Sequence, residues 1–395
     1  MTKPDADIPP RPGSERRCRV VIAPDSLKGS LGAVAASAAL RCGWLAERPF
    51  DDVICLPQAD GGEGTAEVLA SVFPGASWRE VGLVAGPVQA AGWSDTDAWP
   101  PAVGAGVPGR YVALPDGTAV VDLATSSGIG LAARLDPLGA HTYGLGQVLR
   151  AAIEDGAQGL VIGLGGSAST DGGSGALAAL GAGVCDRRGA NLPLGGGALR
   201  QLGRIDRAGL VPPPPGGVDL LVDVNSPLLG PRGAAAVFGP QKGASPGQIA
   251  QLEAGLERLA RMLGGRPDQA GAGAAGGTGF GLAAAWGARI IPGARRVAEL
   301  TGLAPAVASA DVLILAEGRL DATSLVGKVV GEALALAGPA VRHVVAGQVA
   351  LPGEALPGVG LTDLCQLAGS RERALAAPAV VLKQAAAAIA AGLSV

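Results

Sequence analysis

The sequence predicts an α/β protein in which both chain ends build one parallel, doubly wound layer and the middle of the chain is inserted between them. Three observations predict it. Over residues 18–78, β-branched runs alternate with helical stretches, the βαβ pattern of a parallel sheet. The same alternation returns from about residue 290 to the end. Between them, from residue 79, short runs and turns of a different character take over. The expected division is a disordered tail at 1–17, a discontinuous domain from 18–78 with 290–395, and an inserted domain at 79–289 carrying a glycine-rich loop.

The elements follow in order. CRVVIAP (18–24) is a strand, and Ser30 is placed to cap an alanine-rich helix running to about 47. Val53–Leu56 is a second strand, ending at a loop that holds Asp60 and Glu63 and opens another helix. Tyr111–Leu114, the Pro115-Asp116-Gly117 turn and Ala119–Leu123 form a hairpin. A helix at about 142–156 feeds a strand at 159–164, a glycine-rich loop at 165–173 and a further helix. Val218–Val224 is a buried strand and 246–264 an amphipathic helix, while VPPPPGG (211–217) is an extended loop. Strands at 311–315 and 341–346 and helices at about 327–337 and 380–392 complete the chain.

Composition excludes several classes. With 48% hydrophobic and 16% charged residues the chain is not disordered as a whole. Its 65 glycines among 395 residues have no Gly-X-Y period, which removes collagen and leaves many tight loops. A net charge of −3 gives no footprint for nucleic acid or an anionic membrane. Mean hydropathy is +0.35, yet no apolar stretch is long enough to span a bilayer. The first residues lack the apolar core of a signal peptide. Five scattered cysteines without a C-x-x-C pair read as reduced thiols of a cytoplasmic protein, and two histidines are poor material for a metal cluster or a triad.

Ligands of open parallel sheets gather at the carboxyl ends of strands. Here those ends carry Asp25, Ser26 and Lys28, then Asp60 and Glu63, and later Glu317, Arg319 and Asp321. Carboxylates after three separate strands suit a Mg²⁺ ion and a general base, although aspartate also favours turns for its own capping bonds. The loop Gly163–Gly173 lies between strand and helix, so its N–H groups and the helix N-terminus can face a phosphate. It includes Gly165, Gly166, Ser167, Ser169, Thr170 and Asp171. It also matches the dinucleotide pattern G-x-G-x-x-A, with Asp186 as the acidic partner, and it is similar to the loop of the GHMP small-molecule kinases. Three of the five lysines (Lys28, Lys242 and Lys328) sit beside glycine, a common phosphate-binding arrangement. The segment 271–279, with Gly276 and Gly277, is almost free of side chains, so either a ligand or a packed helix approaches its backbone closely.

Eight strings taken together resemble the two-domain, type I bacterial glycerate kinases. They are IAPDSLKGS (22–30), ADGGEGT (59–65), HTYGLGQVLRAAIEDGA (141–157), GLGGSASTDGGSG (163–175), DVNSPLLG (223–230), FGPQKGA (238–244), GAGAAGGTGFG (271–281) and EGRLDATSLVGK (317–328). Two departures stand out: Leu315-Ala316 where the family usually has Thr-Gly, and Ser226 where it usually has Asn. The resemblance implies a discontinuous α/β domain with an inserted, flavodoxin-like one, and phosphorylation of D-glycerate by ATP and Mg²⁺ to 2-phosphoglycerate, with 3-phosphoglycerate as the alternative product because the residues themselves do not fix the hydroxyl. With that reaction in view, Gly165, Gly166, Ser167, Ser169, Thr170, Gly276, Gly277 and Lys242 are assigned to the nucleotide. Lys28 is assigned to charge neutralisation and Arg319 to the substrate carboxylate. Asp25, Ser26, Asp60 and Glu63 fall to the substrate and Glu317 to the metal; Asp171 and Asp321 share the metal and base roles, with Asp171 taken for the metal and Asp321 for the base although the sequence does not fix which does which. The expected partners are the small acid and no nucleic acid or membrane, with a homo-oligomer left open. Two rival readings are a nicotinamide-dependent dehydrogenase and a non-catalytic sugar-acid-binding regulator.

Overall fold

The computed structural model describes residues 17–83 and 109–393. The tail expected at 1–17 lies outside the described residues except for Arg17. In chain order the strands are β1 (Arg19–Ile22), β2 (Asp52–Cys55), β3 (Ser77–Val81), β4 (Gly109–Ala113), β5 (Thr118–Asp122) and β6 (Gly159–Gly163). They continue with β7 (Gly183–Cys185), β8 (Arg204–Asp206), β9 (Val218–Val222) and β10 (Arg289–Pro292). The last are β11 (Val312–Leu320), β12 (Val341–Val349) and β13 (Val359–Asp363).

The chain ends build an all-parallel sheet of order β13-β12-β11-β1-β2. The segment between them builds a second sheet, β10-β9-β6-β5-β4-β3, parallel from β10 to β5 and antiparallel at the β4 and β3 edge. The mixed α/β class is therefore as expected, and so is the hairpin of β4 and β5. Counted by chain order within its own sheet, the chain-end layer runs 2-1-3-4-5, the flavodoxin order, while the inserted sheet takes its strands in chain order. The boundaries expected at 78/79 and 289/290 cut through β3 and β10, each of which belongs whole to the inserted sheet.

Burial explains the β-branched runs. On β1, Val20 and Ile22 pack toward the helices Ala33–Glu47 and Pro378–Ala391, while Val21 faces the opposite cluster with Leu313, Val330 and Val344. A strand covered on both faces reads as continuously apolar. Gly43 closes the first of these helices onto the last, since a Cβ there would stand 2.1 Å from the Lys383 carbonyl oxygen. The first helix begins at Ala33 with Gly32 at its cap, not at Ser30, whose hydroxyl donates to the Leu27 carbonyl at 2.8 Å and closes a turn.

The helix Thr65–Val72 follows β2 in the chain but packs on the inserted sheet, setting Val68 and Leu69 against Val112, Val120, Val161 and Leu221. It ties the two layers together. No helix of the described residues is long and apolar enough to cross a membrane.

Candidate active site

The loops after β1, β2 and β11 face those after β6 and β9 across a cleft between the two sheets. In the chain-end sheet, β1 and β11 are the neighbours at which the strand order reverses, the switch point where open α/β sheets bind ligands. Two cavities meet there. The larger, about 850 Å³, reaches to Gly165, Gly166 and Ser167 of the glycine-rich loop and to the turn 28–33. The smaller, about 360 Å³, extends to Glu317, Arg319, Asp321 and Lys328. Ser26, Leu27, Lys28, Ser30 and Asp60 border both.

Backbone bonds hold the strand-end carboxylates in place. The Asp25 N–H donates to the Ala316 carbonyl at 2.8 Å, fixing the first loop over β11, and the Ser26 N–H donates to Asp25 Oδ1 at 2.6 Å. Asp60 is buried, accepts from the Gly62 N–H at 3.1 Å and lies 3.9 Å from Lys28 Nζ, while the Lys28 side chain is 72% exposed. Burial first, and then the Asp60 charge, push the Asp25 carboxyl well above the usual carboxylate range. Glu317 is pushed up to about 7, mainly by burial; its Oε2 accepts from Ser324 at 2.9 Å and its Oε1 has no partner. Asp223, at the end of β9, is raised by burial and then by Asp60.

Asp223 and Asp122 were missed in the sequence. The strand-end rule that picked out Asp25 and Asp60 applies equally to Asp223, which follows the run VDLLV. Asp122, at the end of β5, accepts from the Gly64 N–H at 2.9 Å and the Ala66 N–H at 3.1 Å. It caps the helix after the Asp60 loop from 56 residues away, and Gly64 offers no side chain for that purpose. Its burial pushes the carboxyl up to about 7. Nothing local in the sequence announces so distant a cap.

Several expected contacts are corrected. Asp171 is fully buried: its Oδ2 accepts from the Thr142 N–H and hydroxyl and the Gly175 N–H, and its Oδ1 from the Gly173 N–H, at 2.8–3.1 Å. Both oxygens are committed to the starts of two helices, and the residue does not border either cavity, so it is no metal ligand in the cleft. The helix after the glycine-rich loop, Ser174–Ala179, is thereby capped from within and is not open to a phosphate. Ser169 and Thr170 are buried behind the loop surface, and Ser169 bonds Ser167. Lys242 is buried at the edge of the larger cavity with Nζ donating to the Ser169 carbonyl, and burial lowers its pKa to about 8. It braces the loop from behind.

Gly276 and Gly277 face protein, not ligand. A Cβ on Gly276 would stand 2.0 Å from the Ser169 carbonyl oxygen, and the backbone there has φ +66°. Neighbouring Ala275 lines the larger cavity and is held at φ 52°, a left-handed conformation that costs an alanine roughly 1–2 kcal/mol.

Asp321 is a turn cap. Its Oδ1 accepts from the Thr323 hydroxyl at 2.6 Å and N–H at 2.9 Å, and these bonds hold its carboxyl below the usual range, which disfavours a base. Arg319 is exposed, with Nε 3.5 Å from Asp321 and Nη1 3.4 Å from the Gln348 side chain. Glu63 is exposed at the rim of the larger cavity. Asp186, which the dinucleotide reading needs, accepts from the N–H groups of Arg188 and Ala190 within its own turn, outside both main sheets.

Comparison with known proteins identifies the family. The glycerate kinase family model matches residues 20–394. Glycerate 2-kinase of Escherichia coli K12 is 38% identical over 320 residues, covering 79% of this chain and 80% of the relative. Glycerate kinase of Bacillus subtilis 168 is 38% identical over 324 residues, covering 78% of this chain and 79% of that one. A solved crystal structure of a putative glycerate kinase 2 from Salmonella typhimurium LT2 superposes with a TM-score of 0.75 at 33% identity, covering 95% of this chain and 98% of that one. The chain belongs to the glycerate kinase family, enzymes that transfer phosphate to glycerate.

Proposed function

We propose that the protein transfers the γ-phosphate of ATP to the 2-hydroxyl of D-glycerate, giving 2-phosphoglycerate, across the wall shared by the two cavities. One observation carries this: Lys28 and Asp60 border both a large, glycine-floored cavity and a small, charged one, so donor and acceptor can meet over them. The name of the Escherichia coli relative supports the 2-position.

In this reading the nucleotide occupies the larger cavity, against Gly165, Gly166 and Ser167. Its phosphates lie near the turn 28–33. The fifteen-residue helix that begins there has no side-chain cap and no acidic residue in its first turn, so its N–H groups favour an anion. The exposed Lys28 sets positive charge against the negative charge of the transferred phosphoryl group. The acid lies in the smaller cavity among Arg319, Lys328 and the carboxylates. Asp25, whose carboxyl is biased toward holding a proton, accepts the hydroxyl proton. Because the phosphoryl transition state is loose, alignment and charge neutralisation matter more than the strength of the base.

Mg²⁺ favours one or two carboxylates together with phosphate and water oxygens. Asp60 and the unpartnered Oε1 of Glu317 fit that need. When bound, the ion neutralises phosphate charge. The five cysteines are free, in keeping with a cytoplasmic enzyme. The test is ADP release from Mg·ATP with and without D-glycerate: release that depends on the acid is expected, and equal rates overturn the reading.

A further inference from the structure

We propose that Arg371 is the residue that reads the carboxylate of the acid substrate; this rests on the kinase reading above and names its specificity determinant. Four cationic side chains line the smaller cavity: Lys28, Arg319, Lys328 and Arg371. Three of them stand among the carboxylates of the site itself. Lys28 stands 3.9 Å from Asp60, and Arg319 stands 3.5 Å from Asp321 and 3.4 Å from Gln348. Lys328 acts on Glu317, Asp223 and Asp321, holding each of these carboxyls lower than it would otherwise be.

Arg371 differs. It is exposed at the cavity and has no hydrogen bond or ion pair to any described residue; its charge is felt by the adjacent Glu372 and by Cys365. The wall around it is apolar, formed by Leu364, Ala374, Leu375 and Pro378. A guanidinium on such a wall keeps its whole fork of donors for an incoming anion, and that fork matches a carboxylate in two-point contact. Part of the Arg319 fork is already engaged with Asp321 and Gln348.

The wall is also fastened. Asp363 accepts from the Gln366 N–H at 2.9 Å and the Val349 N–H at 2.8 Å, tying the segment to β12. Ser370 caps the helix Arg371–Ala376, accepting from the Arg373 N–H at 3.2 Å. Arg371 is thus presented from a fixed support to the cavity that Asp25 and Asp60 also line. The main carboxylate contact moves from Arg319, the residue the sequence suggested, to Arg371.

The experiment is steady-state kinetics of wild type, Arg371→Gln, Arg371→Lys and Arg319→Gln, varying D-glycerate and Mg·ATP separately. Arg371→Gln is expected to raise the D-glycerate KM by about 10- to 150-fold, the worth of a charge-assisted bond of ~1.5–3 kcal/mol. The KM for Mg·ATP stays where it was. Arg371→Lys, a point charge without the fork, falls between, and Arg319→Gln raises the KM less than Arg371→Gln does. A D-glycerate KM within about twofold of wild type in Arg371→Gln overturns this assignment alone. Equal losses toward both substrates with a lowered Tm also overturn it, as the mark of a merely structural residue. A wild-type enzyme without D-glycerate-dependent turnover overturns the kinase reading first, and this assignment with it.

Discussion

Replacing Glu317 by Gln should make the protein more stable and less active, and both effects follow from where the side chain sits. Burial raises the Glu317 carboxyl from its ordinary 4.5 to about 7, with Asp321 and Asp60 adding smaller pushes in the same direction. At about 1.4 kcal/mol per pH unit, ionising it in place costs roughly 3 kcal/mol. The side chain is only partly buried, so solvent screening reduces this to about 1–2 kcal/mol. The folded protein binds the proton more tightly than the unfolded chain does. The favourable contribution of Glu317 is therefore fully present below about pH 4.5 and is lost as pH rises through about 7. Glutamine keeps an acceptor for the Ser324 hydroxyl and cannot ionise. Thermal melts of wild type and Glu317→Gln at pH 5 and pH 8 test this. The variant should melt a few degrees higher at pH 8, with the difference shrinking toward pH 5. Turnover should fall by about 10²–10³-fold, the scale of one lost electrostatic contact at the reacting centre. A variant that melts below wild type at pH 8 would refute the picture of a strained, functional carboxylate.

Lys28→Met should lower kcat/KM by about 10²–10³-fold. Its Tm should not move, because the side chain is 72% exposed and packs little. Asp25→Asn should cut kcat by the roughly 10²–10⁴-fold typical of a lost base, whereas Asp321→Asn, a turn cap, should fall well short of that; matched losses in kcat would return the base role to Asp321. Asp171→Asn sets an amide donor among four N–H and O–H donors and should cost about 2–4 kcal/mol in urea melts. Its activity should follow the folded fraction, and rescue by excess Mg²⁺ would restore Asp171 to the metal site.

Much of the fold is legible because burial writes itself into local patterns. β1, β6 and β9 are β-branched or leucine-rich runs because their strands are covered on both faces, and the turn at Pro115-Asp116-Gly117 marks the hairpin of β4 and β5. The strand-end rule found Asp25 and Asp60 because loops at the carboxyl ends of parallel strands converge, and it reached Glu317 although β11 runs on past it to Leu320. What the sequence could not separate is a polar residue facing a ligand from one facing the chain itself. Asp171 and Ser169 share a loop with Ser167, yet only Ser167 reaches the cleft, since Asp171 turns inward to Thr142, which lies 29 residues earlier in the chain. The ambiguity at 271–279 resolves the same way, with Gly276 pressed on the Ser169 carbonyl. Asp122 was invisible because its partners lie 56 and 58 residues away, and Arg371 because only the fold brings it to the smaller cavity; neither sits in a glycine-rich string.

The central claim is transfer from ATP to D-glycerate across the wall formed by Lys28 and Asp60, and the most direct test is ³¹P NMR of the product formed from D-glycerate and Mg·ATP, run on wild type and on Lys28→Met. The account predicts 2-phosphoglycerate accumulating with ADP in the wild-type reaction and a greatly slowed appearance of the same product with Lys28→Met. A 3-phosphoglycerate product would contradict the proposed acceptor position. Wild-type rates of 2-phosphoglycerate formation by Lys28→Met would contradict the placement of the transfer itself.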